Sequence, residues 1–311
     1  MTLISQHLSE FGGFRIRDYE GDGKVHAGLA LRIPSAAGSP YSGDKLPSLA
    51  DVVEELGDAA SRIQGLVFGI WSEEMYDEKP DAIVRDLLSN KDTLSNLQVL
   101  FIGDVTYEEN EISWIQQTAL GALPGAFPRL EWLGVRGGNG LSLAGMRSEQ
   151  LKGLVVQSGG LPGSVLRELG EAELPGLEHL ELWLGTEDYG GDSSPEDAAG
   201  LLSGRFPKLR TLALRNSQHT DAFVAAVVKA PVMETITRLD FSMGTLGVDG
   251  ARALLACPHL DRLGSLDIGH HHLPDDLIRA LKDRLGDRLL GWDRPDTNDH
   301  GEDEYYCEVR E

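Results

Sequence analysis

The residues whose types most suggest chemistry are three consecutive histidines, His270-His271-His272, shortly after Asp267. His270 with Asp267 could form part of a weak divalent site, but a metal centre needs three or four converging donors. Consecutive residues in a strand or turn point in different directions, so a strand-to-helix turn is the plainer reading. Gly134-Val135-Arg136-Gly137-Gly138-Asn139-Gly140 has the glycine content of a phosphate-cradling loop. It lacks both the Gly-Lys-Ser/Thr ending and the G-x-G-x-x-G register before a long helix, so it too reads as a turn. Cys257 falls where the apolar row of a helix should be, which suits a buried structural thiol better than a nucleophile. The pairs Glu54-Glu55, Glu73-Glu74 and Asp275-Asp276 are adjacent on helix surfaces or starts and read as solvated faces. No catalytic set, metal or cofactor is expected.

Any such groups must be positioned by a scaffold, and composition bounds what that scaffold is. At 311 residues, the chain exceeds what one globular core usually fills, so repeats are the first thing to seek. The formal charge of −22 repels phosphate backbones and anionic lipid, and the arginines are scattered singly. Nucleic acid and membrane surfaces are therefore not expected partners. Two cysteines far apart imply neither a disulfide framework nor a zinc site. The first residues lack the basic and apolar runs of a secretion signal, which makes a cytoplasmic setting the expectation.

The spacing L-x-x-L-x-L, with occasional Ile, Val or Phe, recurs eight times. The triplets are Ile63/Leu66/Phe68, Leu97/Leu100/Ile102, Leu130/Leu133/Val135, Leu151/Leu154/Val156, Leu177/Leu180/Leu182, Leu209/Leu212/Leu214, Ile236/Leu239/Phe241 and Leu263/Leu266/Ile268. Within each, the last two apolar residues are two apart and share one face of a strand. One strand cannot bury that face alone; stacked in parallel, the strands share a core worth roughly 1.5–3 kcal/mol per fully buried Leu or Ile. Apolar periodicity over residues 81–94, 220–232 and 251–260 predicts return helices between the strands, and Ser194-Pro195-Glu196-Asp197 has the order of an N-cap and first turn.

This pattern resembles the leucine-rich repeat family over residues 49–292, and the chain is similar to bacterial, actinobacterial-type members of it. The resemblance implies an α/β solenoid of the ribonuclease-inhibitor-like class: a curved horseshoe with a parallel concave sheet and helices on the convex side. It also implies a non-enzymatic protein-binding role on the concave face, accessory to a modifying enzyme, with a radical-SAM enzyme as one such partner. The family's Asn at the ninth position is missing: Trp71, Val105, Gly138, Gly159, Gly185, Ser217, Gly244 and His271 stand there. The frequent glycine suits a turn of positive φ. Triplets three and four are only 21 residues apart, too close for a proper helix between them.

Three regions follow: a capping segment at 1–46, the repeat domain at 47–292, and an acidic tail or final capping strand at 293–311. In the first, Phe14 to Arg17 and Ala27 to Ile33 read as strands of a hairpin covering the exposed end of the core. In the last, 305–309 could add a strand. The loop 185–192 is long enough to project at the rim of the concave face.

Residues alternating with the buried triplets define that face. Gly65, Val67, Gly69, Val99, Phe101 and Gly103 make its early part small and apolar, open to a ligand or covered by the N-terminal segment. Later repeats present Trp132, Arg136, Gln157, His179, Glu181, Trp183, Arg215, Asn216, Arg238, Asp240, Asp267 and His270, a mixture rich in the types that dominate binding hot spots. Binding of a protein or peptide there is the first expectation. Alternatives are a hydrolase or modifying enzyme using Asp240, Asp267 and His270 on neighbouring strands, and an acidic scaffold for a basic partner.

Overall fold

The computed structural model describes residues 4–33, 47–72, 74–293 and 306–309. They fall into two compact units, Met1–Val156 with Ala172–Leu174, and Gln157–Glu171 with Pro175–Glu311. The first unit contains β1 (Glu10–Phe11), β2 (Phe14–Asp18), β3 (Leu29–Ile33), α1 (Leu49–Leu56), β4 (Gly65–Phe68), α2 (Asp81–Ser89), β5 (Val99–Ile102), α3 (Leu123–Ala126), β6 (Trp132–Arg136) and β7 (Gly153–Gln157), whose last residue belongs to the second unit. The second continues with α4 (Gly163–Glu171), β8 (His179–Gly185), α5 (Ala199–Leu202), β9 (Thr211–Ser217), α6 (Thr220–Val227), β10 (Arg238–Asp240), α7 (Val248–Ala256), β11 (Ser265–Asp267), α8 (Asp275–Leu285) and β12 (Leu289–Leu290).

Each unit has the layering of an α/β repeat solenoid. Its strands lie side by side in chain order, and β2 to β6 and β8 to β12 are parallel. The triplets set the register: Leu66 pairs Leu100 and Leu100 pairs Leu133 in the first unit, while Leu180, Leu212, Leu239 and Leu266 stand in line in the second. Every triplet residue is at most 2% exposed, so the spacing identified the core positions it implied. Return helices occur where the periodicity put them, at α2, α6 and α7, each ending earlier than the sequence suggests. No helix lies between β6 and β7, as the short step required; isolated bridges such as Gln116 to Asn139 and Ala119 to Ser142 carry the chain instead.

The N-terminal segment departs from the expected hairpin. β2 and β3 are parallel, and β3 pairs with β4, so Leu29–Ile33 adds one more layer to the ladder before the first triplet. Leu31 and Ile33 are buried as a triplet's last two residues would be. The reversal comes earlier, between the short β1 and β2, at Gly12 and Gly13, both of positive φ. At the other end, residues 306–309 form no strand, whereas Leu289–Leu290 add a short one, β12, after α8.

The turn glycines also differ. Among the ninth-position glycines only Gly185 has positive φ, whereas in three successive late repeats the left-handed residue is the eighth: Asn216, Met243 and His270. At the first two the reversed backbone aims its N–H at the next repeat, Asn216 donating to the Ser242 carbonyl and Met243 to that of Gly269. These bonds offset the roughly 1–2 kcal/mol that a non-glycine left-handed residue costs.

Candidate functional site

In the first unit the strand face is roofed by the chain itself. Leu8, Phe11, Phe14 and Ile16 pack against buried Ala30, Val67 and Phe101. Phe11 meets the Phe101 ring edge-on at 5.1 Å and the Trp132 ring at 5.9 Å. Gly134 makes this layer possible: a β-carbon there would sit 2.1 Å from Phe101, so the large ring of one strand needs the bare backbone of the next. The small and apolar early face is therefore covered by the N-terminal segment.

A buried charge cluster pins this roof. Asp104 follows Gly103, whose φ of 94° turns the chain out of β5, and its side chain is fully buried. Arg32 Nε donates to its Oδ2 at 2.8 Å and the Leu8 amide to its Oδ1 at 3.0 Å. The Arg136 guanidinium lies 3.9 Å from Oδ1, donates to the Val105 carbonyl and faces the Phe101 ring. Burial alone would raise the carboxyl pKa of Asp104, yet the hydrogen bond from His7 and the two arginines hold it below the usual carboxylate range. His7 Nδ1 donates to the Asp104 backbone carbonyl at 3.0 Å and lies 3.7 Å from the Asp104 carboxylate, while Nε2 pairs with Glu109 at 3.2 Å; the two carboxylates push its pKa up to about 9, against burial. The cluster is a lock between segment and ladder. An arginine inside the apolar strand Leu29–Ile33 was the available sign of it, since such a charge must find a buried partner.

The second unit carries the polar face. Strand register places Glu181 in line with Ala213, Asp240 and Asp267, and Trp183 in line with Arg215. Arg215 donates from Nη1 to Glu181 Oε1 at 3.0 Å and from Nε to Ser242 Oγ at 3.0 Å, with Nε 3.3 Å from Asp240 Oδ2. The Trp183 indole donates to Glu181 Oε1 at 2.7 Å and lies under the Arg215 guanidinium. His179 stands 3.6 Å from Glu181 Oε2. Burial opposes ionisation of Glu181, but the His179 and Trp183 hydrogen bonds and the Arg215 charge lower its pKa to about 2. Burial, aided by repulsion from Asp267, pushes the Asp240 carboxyl up, and Arg215 only partly offsets this.

The twelve residues read from the sequence as the inner face thus separate. Trp132 and Arg136 lie in the first unit, Trp132 half-buried against Phe11 and Arg136 1% exposed; Gln157 is buried at the end of β7. Trp183 and Asn216 are fully buried. His179, Glu181, Arg215, Asp240, Asp267 and His270 are half-buried, and Arg238 is exposed. The side alternation was legible; what lies over each residue was not.

The groups considered for catalysis are engaged in structure. Asp240 and Asp267 each accept the amide two residues on, from Ser242 at 2.8 Å and Gly269 at 2.9 Å, which shapes the strand-end turns. His270 Nε2 is 2.7 Å from the Tyr306 carbonyl, while buried His271 donates to the Trp292 carbonyl and accepts from the Leu273 amide. The His270 and His272 rings meet edge to face at 5.8 Å while His271 is bonded elsewhere, and among the described residues no three His, Cys, Asp or Glu side chains gather as metal ligands would. Cys257 is buried at the C-cap of α7, as its place in the apolar row suggested. No described helix is long and apolar enough to cross a membrane.

No family model matches the chain, and no curated protein does. The chain is similar to a Bacteroides fragilis protein of known crystal structure, with 28% identity and a TM-score of 0.77 over 91% of this chain and 78% of that one. An LRR protein of Leptospira interrogans aligns over 88% of this chain and 87% of that one with 13% identity and a TM-score of 0.26, too loosely to bear on fold or function.

Proposed function

We propose that this chain is a non-enzymatic interaction module that holds a protein or peptide on the strand face of β8 to β11. The observation that carries this reading is the row Glu181, Arg215, Asp240 and Asp267: three carboxylates against one guanidinium, fixed on rigid parallel strands and still reachable by solvent. The row costs little further entropy when a partner docks, because its ion pairs already fix the rotamers. Its carboxylate excess, within a chain of net charge −22, favours a partner that presents lysine or arginine. The acidic-scaffold reading thereby becomes the electrostatic side of the same proposal. An accessory role beside a modifying enzyme, of the radical-SAM class that the family resemblance implies, is its narrower form.

The test uses side chains that reach solvent without holding the network. Arg238 is exposed and Thr211 half-buried, and the two are paired in register at the start of β10 and β9. Thr211→Arg, which adds a cation beside the carboxylate row and leaves Arg238 in place, should remove partners captured by wild-type protein from the lysate of the native host. Arg252→Glu on α7, where Arg252 is exposed, should leave them in place. Identical capture by all three proteins would end the proposal for this face, and capture insensitive to salt would remove its electrostatic part.

A further inference from the structure

The described residues include only four exposed large hydrophobic side chains, and three of them, Tyr76, Tyr107 and Trp114, line one open cavity of about 440 Å³ in the first unit. Its other walls are Glu108, Glu109 and Glu111 with Asn110. No lysine, arginine or histidine is among the lining residues. The volume lies within the roughly 300–1,000 Å³ of small-molecule sites.

The three aromatics come from different segments, each held from outside the cavity. Tyr76 follows buried Met75, which packs with Val105 and Ile115, and its carbonyl accepts from the Gln116 side chain at 2.9 Å. Tyr107 is tied through its amide to the Ile4 carbonyl. Trp114 ends a short 3-10 turn whose first residue, Ile112, is fully buried. The rings are therefore positioned by backbone and core contacts while their faces stay open to solvent, an arrangement that folding alone does not call for.

The charges at the mouth point one way. Burial works against ionisation of Glu109, but hydrogen bonds from His7 and Thr106 hold its carboxyl below the usual range, so it is charged at neutral pH. Its charge is offset by the His7 imidazolium. Glu108 and Glu111 add two more exposed carboxylates. Electron-rich ring faces beside carboxylates attract a cation, and favour a large, weakly hydrated one over a compact, strongly hydrated one. Asn110 also lines the cavity, its Nδ2 buried and without a hydrogen-bond partner among the described residues.

We propose that this cavity binds a methylated ammonium group carried by a small molecule, with Tyr76, Tyr107 and Trp114 around the methyl groups and Glu108 and Glu111 supplying the counter-charge. The site is independent of the strand face of β8 to β11 and stands whether or not that face binds a protein.

Calorimetry of the full chain provides the readout, with choline as probe and 3,3-dimethylbutan-1-ol as its uncharged isostere. Choline should saturate one site and bind at least ~10-fold more tightly than the isostere. Trp114→Ala and Tyr107→Ala should each weaken choline by ~5-fold or more, whereas Trp114→Phe should retain most of the binding. Glu108→Gln with Glu111→Gln should narrow the preference over the isostere. Circular dichroism of each variant separates lost binding from lost folding. Equal binding of isostere and choline, preference for ammonium over tetramethylammonium, or absence of saturable choline binding in the folded wild-type protein would each overturn the assignment.

Discussion

The strand faces of the two units are built on one register and finished in opposite ways. In the first unit, Val67 and Phe101 beside glycines leave an apolar surface that water disfavours, and the N-terminal segment covers it. In the second, Glu181, Arg215, Asp240 and Asp267 occupy the equivalent side of the strands and remain half-exposed. The contrast teaches that the side chains alternating with the repeat decide whether a solenoid layer becomes a second core or an interaction surface. The triplets beneath them are equally buried in both.

The largest effect should come from attacking the lock of the closed face. Asp104→Ala takes the fully buried carboxylate away from Arg136 and leaves Arg32 only its ion pair with Asp18, which should cost about 3–5 kcal/mol in denaturant unfolding. If the loss stays below about 1 kcal/mol, the cluster is not what holds the roof. Phe11→Ala removes the edge-on contacts to Phe101 and Trp132 and should cost about 2–3 kcal/mol. It should also open the segment around Arg15 and Arg17 to trypsin without changing hydrogen exchange in β9 and β10. Exchange that rises equally in both units would break the comparison.

A smaller effect tests the far end of the second unit. Asn216 has a φ of 53° and exchanges two hydrogen bonds with Val309, at 2.7 and 2.9 Å. Asn216→Gly keeps the backbone conformation and removes both bonds, an expected cost of about 1–2 kcal/mol. Asn216→Ala should cost about 1 kcal/mol more, because alanine is strained there. Equal stabilities of the two variants would show that the positive φ is unimportant.

The smallest effect is a difference in pH response. His7 holds its proton more tightly in the fold than its ordinary value of 6.5 allows, so the stability it lends is complete below that value and is lost as pH rises through about 9. The Leu8 amide, which donates to Asp104, should exchange progressively faster, beyond the intrinsic base catalysis, between pH 7 and 10. His7→Gln should flatten that dependence. Glu181 behaves in the opposite sense: its contribution is present above its ordinary 4.5 and is lost as pH falls towards about 2. Alkali should therefore loosen the roof while leaving the Glu181 network intact.

The fold was readable because its signal is repeated: eight copies of one spacing fix which residues face the core even when individual copies are degenerate. The ends were less so. Residues 29–33 carry only the last two apolar positions of a triplet, so the sequence gives a strand without its parallel partner. The alternation put Trp183 and Arg136 on the polar side correctly, but their burial depends on tertiary neighbours that no local pattern encodes. Asp104, Arg32 and His7 meet across 72 and 97 residues of chain, a distance over which spacing carries no information. The aromatic cavity left a faint trace in the run Tyr107-Glu108-Glu109-Asn110-Glu111, whose Tyr107 belongs to no apolar period.

The last described residues have a mechanical meaning. Tyr306 meets His270, Glu308 meets Met243 and Val309 meets Asn216, so four residues run across the left-handed corners of three successive repeats. A stacked array ordinarily frays one unit at a time from its free end, because each unit is held only by its neighbour. A thread stitched through three of them links their departures: none can peel away until the stitch is undone, and then they leave as one block.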